Sequence, residues 1–374
     1  MGCHWWPLPL LIFFTTGLGF GISFLTKTGV FATSTSSSPF GKKTSAPTAI
    51  PGKDDALVPQ PSVCMARNQY LKDNKTCTTC PGTKSGNSFS VFWESQADGC
   101  QEFAASEAAK YVTHIYWGFA TIDATGAVSQ KLQGNDATLT ACIKTFQNMC
   151  IQNYVSIGGA TERKTFLQLK TQEQWNTFGK TAASLVQKFN FTGVDIDDES
   201  GNADAGGDWY KNAQPQVVGY ISALRKQLDA LPRGPYRISW DEFPGSFEKG
   251  CDDPAVEYGR CFPTEILPLV NQVNNMLYNN LSPKLDGILQ SVPTTWGPKV
   301  GKDKLVIGGC VGKGGSGVCA DYGDVPTTTQ LTAYATTGAK YQGAMLWTSS
   351  ADWRLNKGAT TVLMGKAGNY GVDW

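Results

Sequence analysis

Eight short runs of β-branched and aromatic residues, most of them about 30 to 45 residues apart, constrain this chain more than any other feature. They are SFSVFWES (88–95), VTHIYWGFA (112–120), NYVSIGG (153–159), FTGVDIDDE (191–199), YRISWDEF (236–243), VNNMLYN (273–279), KLVIGG (304–309) and YQGAMLW (341–347). Each interval has room for a strand, a loop, a helix and a return turn, and stretches such as TQEQWNTFGKTAASLVQKF have helical spacing. Eight such units over residues 88–374 predict a closed (β/α)8 TIM barrel. An open doubly wound sheet would normally show fewer strands and a Gly-rich phosphate loop after the first, and no GxGxxG follows Trp93.

Three segments precede the barrel. Residues 1–32 contain the uncharged stretch WWPLPLLIFFTTGLGFGISFL (5–25), followed by Val30-Phe31-Ala32 as a cleavage site, which predicts a secretory leader and a secreted protein. The stretch is long and no Lys or Arg precedes it, so an uncleaved membrane anchor through 5–25, with the rest of the chain outside the cytosol, also fits. Residues 33–62 are rich in Ser, Thr and Pro without an apolar period and read as a disordered linker. Residues 63–87 form a short Cys-containing segment.

Of eleven cysteines, ten remain if Cys3 leaves with the leader, an even number that suits disulfides in an oxidising compartment. Proximity in sequence suggests Cys142–Cys150, Cys251–Cys261 and Cys310–Cys319, and leaves Cys64, Cys77, Cys80 and Cys100 without a decidable connectivity. Cys77-Thr-Thr-Cys80 has no second CxxC and no neighbouring His to support a redox or zinc role. Sequons at Asn74, Asn190 and Asn280 are compatible with glycosylation.

Composition narrows the chemistry. A net charge of +1 without a basic patch argues against nucleic acid as a partner. Two histidines, His4 and His114, cannot make a zinc cage or most Ser/His triads, so carboxylate chemistry without metal or cofactor is expected. Eleven Trp, thirteen Tyr and eighteen Phe supply flat apolar faces of the kind on which sugars stack. A monomer is expected.

The fourth run ends Gly193-Val194-Asp195-Ile196-Asp197-Asp198-Glu199. Side chains alternate along a strand, so Asp195, Asp197 and Glu199 point together into the barrel as a column rising to its C-terminal mouth. Mutual repulsion and burial raise the pKa of whichever carboxyl can hold a proton, which makes Glu199, the outermost, a candidate acid and lets Asp195 and Asp197 share a proton. A solvated acidic turn would not explain the apolar strand before it. A magnesium or calcium site would usually gather ligands from several strand ends.

These residues resemble the strand-four signature DGxDxDxE of the chitinase-like family 18 glycoside hydrolases. Ser156-Ile157-Gly158-Gly159 is similar to that family's SxGG motif, Met276-Leu277-Tyr278-Asn279 to its Met-x-Tyr-Asp/Asn run, and Trp347 to its floor tryptophan. Thr192 stands where the signature commonly has its first Asp, which bears on strand-to-helix anchoring. The doubled Asp197-Asp198 is similar to bacterial endo-β-N-acetylglucosaminidases, and Tyr278-Asn279-Asn280 to plant-type chitinases.

The resemblance implies hydrolysis of β-1,4 bonds after N-acetylglucosamine, in chitin or a related glycan, by substrate-assisted retaining catalysis. It implies Glu199 as acid, Asp197 as partner of the acetamido N–H, Asp195 as its tuner and Tyr278 as donor to the acetamido oxygen. Trp347, Met276, Asn279, Asp241, Glu242 and Trp93 are expected around the sugar, and Gly158 with Gly159 lets the backbone approach closely. Tyr116, Trp117, Trp240, Trp296 and Trp353 are further candidates to line a groove, with only one of Tyr116 and Trp117 able to face inward. The alternatives are an endo-β-N-acetylglucosaminidase acting on the N-glycan chitobiose core and a non-catalytic chitooligosaccharide-binding lectin or effector.

Overall fold

Val, Ile and aromatic residues recur through each of the eight runs, and all eight form parallel strands of one closed barrel. The computed structural model describes Cys64 and residues 68–73, 76–256 and 258–374. The expected leader and linker, and the sequon at Asn74, lie outside the described residues. Among those described, no helix is long and apolar enough to cross a membrane.

The barrel strands are β3 (Ser88–Glu94), β4 (His114–Ala120), β5 (Gln152–Gly158), β6 (Gly193–Asp197), β7 (Arg237–Glu242), β8 (Gln272–Met276), β9 (Leu305–Cys310) and β10 (Gly343–Trp347), each paired with its neighbour and β10 closing on β3. A short antiparallel hairpin, β1 (Gln69–Lys72) and β2 (Thr76–Thr79), precedes them. The two faces of the strands feed two cores. Outward residues such as Val91, Trp93, Ile115, Val155, Ile196, Ile238 and Leu346 pack in one large cluster beneath the helices. Inward residues, among them Phe92, Tyr116, Tyr154, Met276, Val306 and Met345, fill the interior.

Helices begin where the sequence provides caps. Thr171 and Thr327 each form a reciprocal capping box, with Gln174 and Gln330, at the starts of helices Gln172–Phe189 and Thr328–Gly338. Helix Gln172–Phe189 lies against helix Trp209–Asp229, and Gly179 permits the approach: a Cβ there would stand 2.7 Å from the Ala223 carbonyl oxygen. Thr192 anchors locally, donating its hydroxyl to the Asn153 carbonyl at 2.9 Å.

Five disulfides are present among the described residues: Cys64–Cys77, Cys80–Cys150, Cys100–Cys142, Cys251–Cys261 and Cys310–Cys319. The expected Cys142–Cys150 pair is not formed. Cys142 sits inside helix Asp136–Asn148 and faces the short helix Cys100–Ala104, whereas Cys150 lies past the helix end against the hairpin segment. The six helical steps from Cys142 to Asn148 alone span about 9 Å, beyond the reach of one disulfide.

Candidate active site

Asp195, Asp197 and Glu199 do rise as a column, but strand β6 ends at Asp197, so Glu199 stands on the first turn beyond it. Asp195 and Asp197 are buried and Glu199 is half-buried. Asp195 is held from both neighbouring strands: Ser156 donates to its Oδ2 at 2.7 Å and Ser239 to its Oδ1 at 2.5 Å. Asn274 Nδ2 donates to Asp241 Oδ1 at 2.7 Å and lies 3.4 Å from Asp195 Oδ1. Burial pushes the Asp195 carboxyl up to about 6, against the pull of these hydroxyls.

Asp241 is a further carboxyl beside Asp195. Burial first, then the charges of Asp195 and Asp197, push Asp241 well above the carboxylate range, and its side chain hydrogen-bonds Asp195. Asp241 is an interior member of the acidic cluster, 1 % exposed. Asp197 Oδ1 is buried with no hydrogen-bond partner. Burial and the neighbouring Glu199 and Asp195 charges push its carboxyl well up. Glu199 is also raised, by burial, with Arg260 and Arg163 opposing.

Tyr278, immediately beyond β8, is buried in the same interior, and burial followed by the Asp241, Asp197 and Glu199 charges pushes its phenol well up. Such a phenol stays protonated and can donate. Trp347 ends β10, half-buried, with Nε1 donating to the Val318 carbonyl at 3.2 Å and its ring stacked on Phe119 at 5.7 Å. Met276 faces the interior beside these residues. Gly158 and Gly159 wrap the Asp197 carbonyl: Gly159 N donates to it at 2.9 Å, and a Cβ on Gly158 would stand 2.2 Å from that oxygen. Gly158 has φ +122°, a conformation that glycine tolerates.

Several expected sugar contacts are elsewhere. Trp93 faces outward, fully buried against Phe103 and Trp117, and its Nε1 donates to the Ala97 carbonyl. Trp117, Trp240 and Trp296 are buried in the same outer core, and Trp353 packs on Phe103. Of the Tyr116–Trp117 pair, Tyr116 faces inward. Glu242 also points outward, where it accepts from Trp240 Nε1, the Phe243 amide, Ser246 and Arg260 Nε. Asn279 turns the chain, and its Oδ1 accepts from the Ala320 amide at 2.8 Å, tying down the loop after β9.

Two arginines went unnoticed in the sequence because Arg260 sits in a loop and Arg163 opens the four-residue helix Arg163–Phe166, neither with a periodic signal. Arg260 is fully buried beneath the acidic cluster; besides Glu242 it donates to the Asp198 carbonyl, to the Ser200 carbonyl at 3.0 Å and to the Asp241 carbonyl at 3.3 Å. Asp198, the second of the doubled aspartates, turns away from the column to accept from Tyr220 at 2.8 Å. Arg163 bridges Asp204 at 2.5 Å and lies 4.2 Å over the Tyr258 ring. Tyr258 and Tyr322 are both exposed, on the disulfide-braced loops after β7 and β9, and the Tyr322 phenol is raised by burial and by the Glu199 charge.

The Asp195 oxygens are taken by hydroxyls and those of Asp198 by Tyr220 and the Ser200 amide. Among the described residues, the one cluster with metal-ligand spacing is Cys251, Asp252 and Cys261, whose two sulfurs are bonded to each other.

Comparison with known proteins agrees with this architecture. Residues 88–245 match the family model for glycosyl hydrolases family 18. No curated protein sequence matches the chain. A GH18 chitinase from Pseudoalteromonas aurantia is similar in structure, at 18 % identity and a TM-score of 0.56 over 75 % of this chain and 100 % of that one. A chitinase from Rhizomucor miehei gives 16 % identity and 0.56 over 75 % and 100 %. A mutant GH18 chitinase from Cycas revoluta, in complex with (GlcNAc)4, gives 15 % and 0.56 over 75 % and 98 %. At these identities the structural likeness speaks for the fold, and the family match covers the half of the barrel that carries the carboxylate column. Over residues 88–245 the chain is similar to glycosyl hydrolases family 18, and it shares the barrel fold of these chitinases.

Proposed function

We propose that the mouth of this barrel hydrolyses β-1,4 bonds after N-acetylglucosamine, in chitin or chitooligosaccharides, with the substrate's acetamido group as nucleophile. The observation that carries the reading is a buried Asp197 with Oδ1 unbonded, set between the half-buried Glu199 and the buried Asp195, with Tyr278 beside them. A buried acceptor oxygen without a partner costs free energy unless a ligand N–H satisfies it. The acetamido N–H of a bound sugar is such a donor. The similarity to chitinases solved with N-acetylglucosamine oligomers supports the substrate class.

In this reading, Glu199 gives its proton to the glycosidic oxygen as the C1–O bond breaks, and the acetamido carbonyl oxygen bonds to C1. The resulting oxazolinium carries positive charge, which Asp197 stabilises through the N–H, while Tyr278 donates to the acetamido oxygen. Water then attacks C1 and returns a proton to Glu199. Asp195, held by two serine hydroxyls and sharing a proton with Asp241, keeps negative charge beneath Asp197. Trp347 forms the apolar floor, and Tyr258 and Tyr322 offer stacking faces near Glu199.

The test is a glycan panel. Hydrolysis of fluorogenic chitotriose supports the proposal; release of glycans from a high-mannose glycoprotein would assign endo-β-N-acetylglucosaminidase activity instead, and retention on chitin without turnover a lectin. A thiazoline analogue of the cyclic ion should inhibit competitively and lose potency in Asp197→Ala. A glycosyl ester on any Asp or Glu, detected by mass spectrometry, would refute substrate assistance. From the sequence-level expectation of a secreted or membrane-anchored protein, we further propose that the barrel acts outside the cytosol; detection of the intact chain in a cell's cytosolic fraction alone would refute this.

A further inference from the structure

The N-terminal end of the barrel, opposite the carboxylates, holds a cavity of about 510 Å3, in the size range of small-molecule sites. It lies between the strand starts, where His114, Gln152 and Arg237 begin β4, β5 and β7, and the segment through Gly82 and Asn87 that leads into β3. The charge balance of its lining is one-sided: among the described residues Arg237 is its only ionised group, and no Asp or Glu lines it. His114 adds no counter-charge, because burial and then the Arg237 guanidinium push it down to about 3, leaving a neutral imidazole whose Nδ1 is 2.8 Å from the Thr113 hydroxyl.

Arg237 Nε is buried and has no hydrogen-bond partner. Arg260, fully buried at the opposite end of the barrel, spends its donors on a carboxylate and three carbonyls. A buried N–H without an acceptor is costly, and the planar fork of the half-buried Arg237 matches a carboxylate or phosphate. Thr113, Gln152, Asn87 and the backbone at Gly82 add neutral polar groups around the same space.

We propose that this cavity is a second binding site, separate from the barrel mouth, which takes a small oxyanion of the phosphate or carboxylate class with Arg237 as its anchor. Isothermal titration of the full chain in phosphate- and sulfate-free buffer, with inorganic phosphate in one arm and acetate in the other, tests it. Saturable binding of either anion, weakened at least tenfold in Arg237→Gln and unchanged in Glu199→Gln, is the expected result, and the arm that binds names the source chemistry. Because Glu199→Gln leaves this site intact, the outcome is independent of whether the mouth hydrolyses sugars. Gln152→Glu, which places an anion inside the cavity, should abolish binding while thermal unfolding stays cooperative. No saturable binding of either anion, or binding undiminished in Arg237→Gln, would overturn the proposal.

Discussion

Removing the Arg260 guanidinium should be among the most destabilising single changes in this protein. Its side chain is completely buried, 2.8 Å from Glu242 Oε1 and 3.9 Å from Asp198 Oδ1, and also satisfies the carbonyls of Asp198, Ser200 and Asp241. The rings of Trp209, Trp240 and Phe243 lie 5.0, 5.4 and 4.5 Å from its Cζ and exclude water. Arg260→Met keeps much of the volume but strands a buried carboxylate and several carbonyl acceptors. Breaking a buried pair from one side costs roughly 3–5 kcal/mol. At about 2–4 °C per kcal/mol for a chain of this size class, melting should fall on the order of 10 °C. Arg260→Lys should recover only part of the loss, since a point charge cannot span acceptors that the planar fork reaches together. Glu242→Gln should cost less, because the amide oxygen still accepts from Ser246 and the Phe243 amide. Urea unfolding of the three variants and of Arg260→Met/Glu242→Gln gives the coupling between the pair. An Arg260→Met loss below about 1 kcal/mol, or strict additivity in the cycle, would refute the reasoning.

Glu199→Gln should lower kcat on chitotriose by roughly 10² or more while leaving oligosaccharide binding within a few-fold, because the amide cannot give a proton; comparable turnover would remove Glu199 from the acid role. Asp195 is held up to about 6 by burial, so the folded protein keeps a proton that the unfolded chain releases near pH 4. Its contribution to stability is therefore full at low pH and lost as pH rises through about 6, and Asp195→Asn should flatten that part of a denaturation-versus-pH curve. Gly158→Ala would require a side chain at φ +122° with its Cβ 2.2 Å from the Asp197 carbonyl oxygen, so it should destabilise and displace Asp197 together. The backbone conformation alone costs roughly 1–3 kcal/mol, and parallel unfolding and activity assays should both register it; normal values in either would contradict the close approach.

The barrel was legible in the chain because its signal is local. Each run of β-branched and aromatic residues declares a strand by itself, and eight at regular spacing leave little choice of architecture. The column was legible for the same reason, since alternation alone aligns Asp195 with Asp197. Alternation does not say which parity faces in: barrel closure put Phe92 and Tyr116 inside, sent Trp93 and Trp117 to the helical layer, and turned Glu242 toward Arg260 while Asp241 joined Asp195. Cysteine pairing followed space as well. Cys142 met Cys100 and Cys150 met Cys80 because helix Asp136–Asn148 holds one on its buried face and the other beyond its end, although the two are neighbours in sequence. Arg163, in a four-residue helix, and Arg260, Tyr258 and Tyr322, in loops, belong to connections whose positions depend on the strands they join, so nothing in their local sequence places them beside the carboxylates. Periodicity is a property of neighbouring residues; proton sharing, charge pairing and disulfide choice depend on distances between strands, which exist only once the sheet has closed.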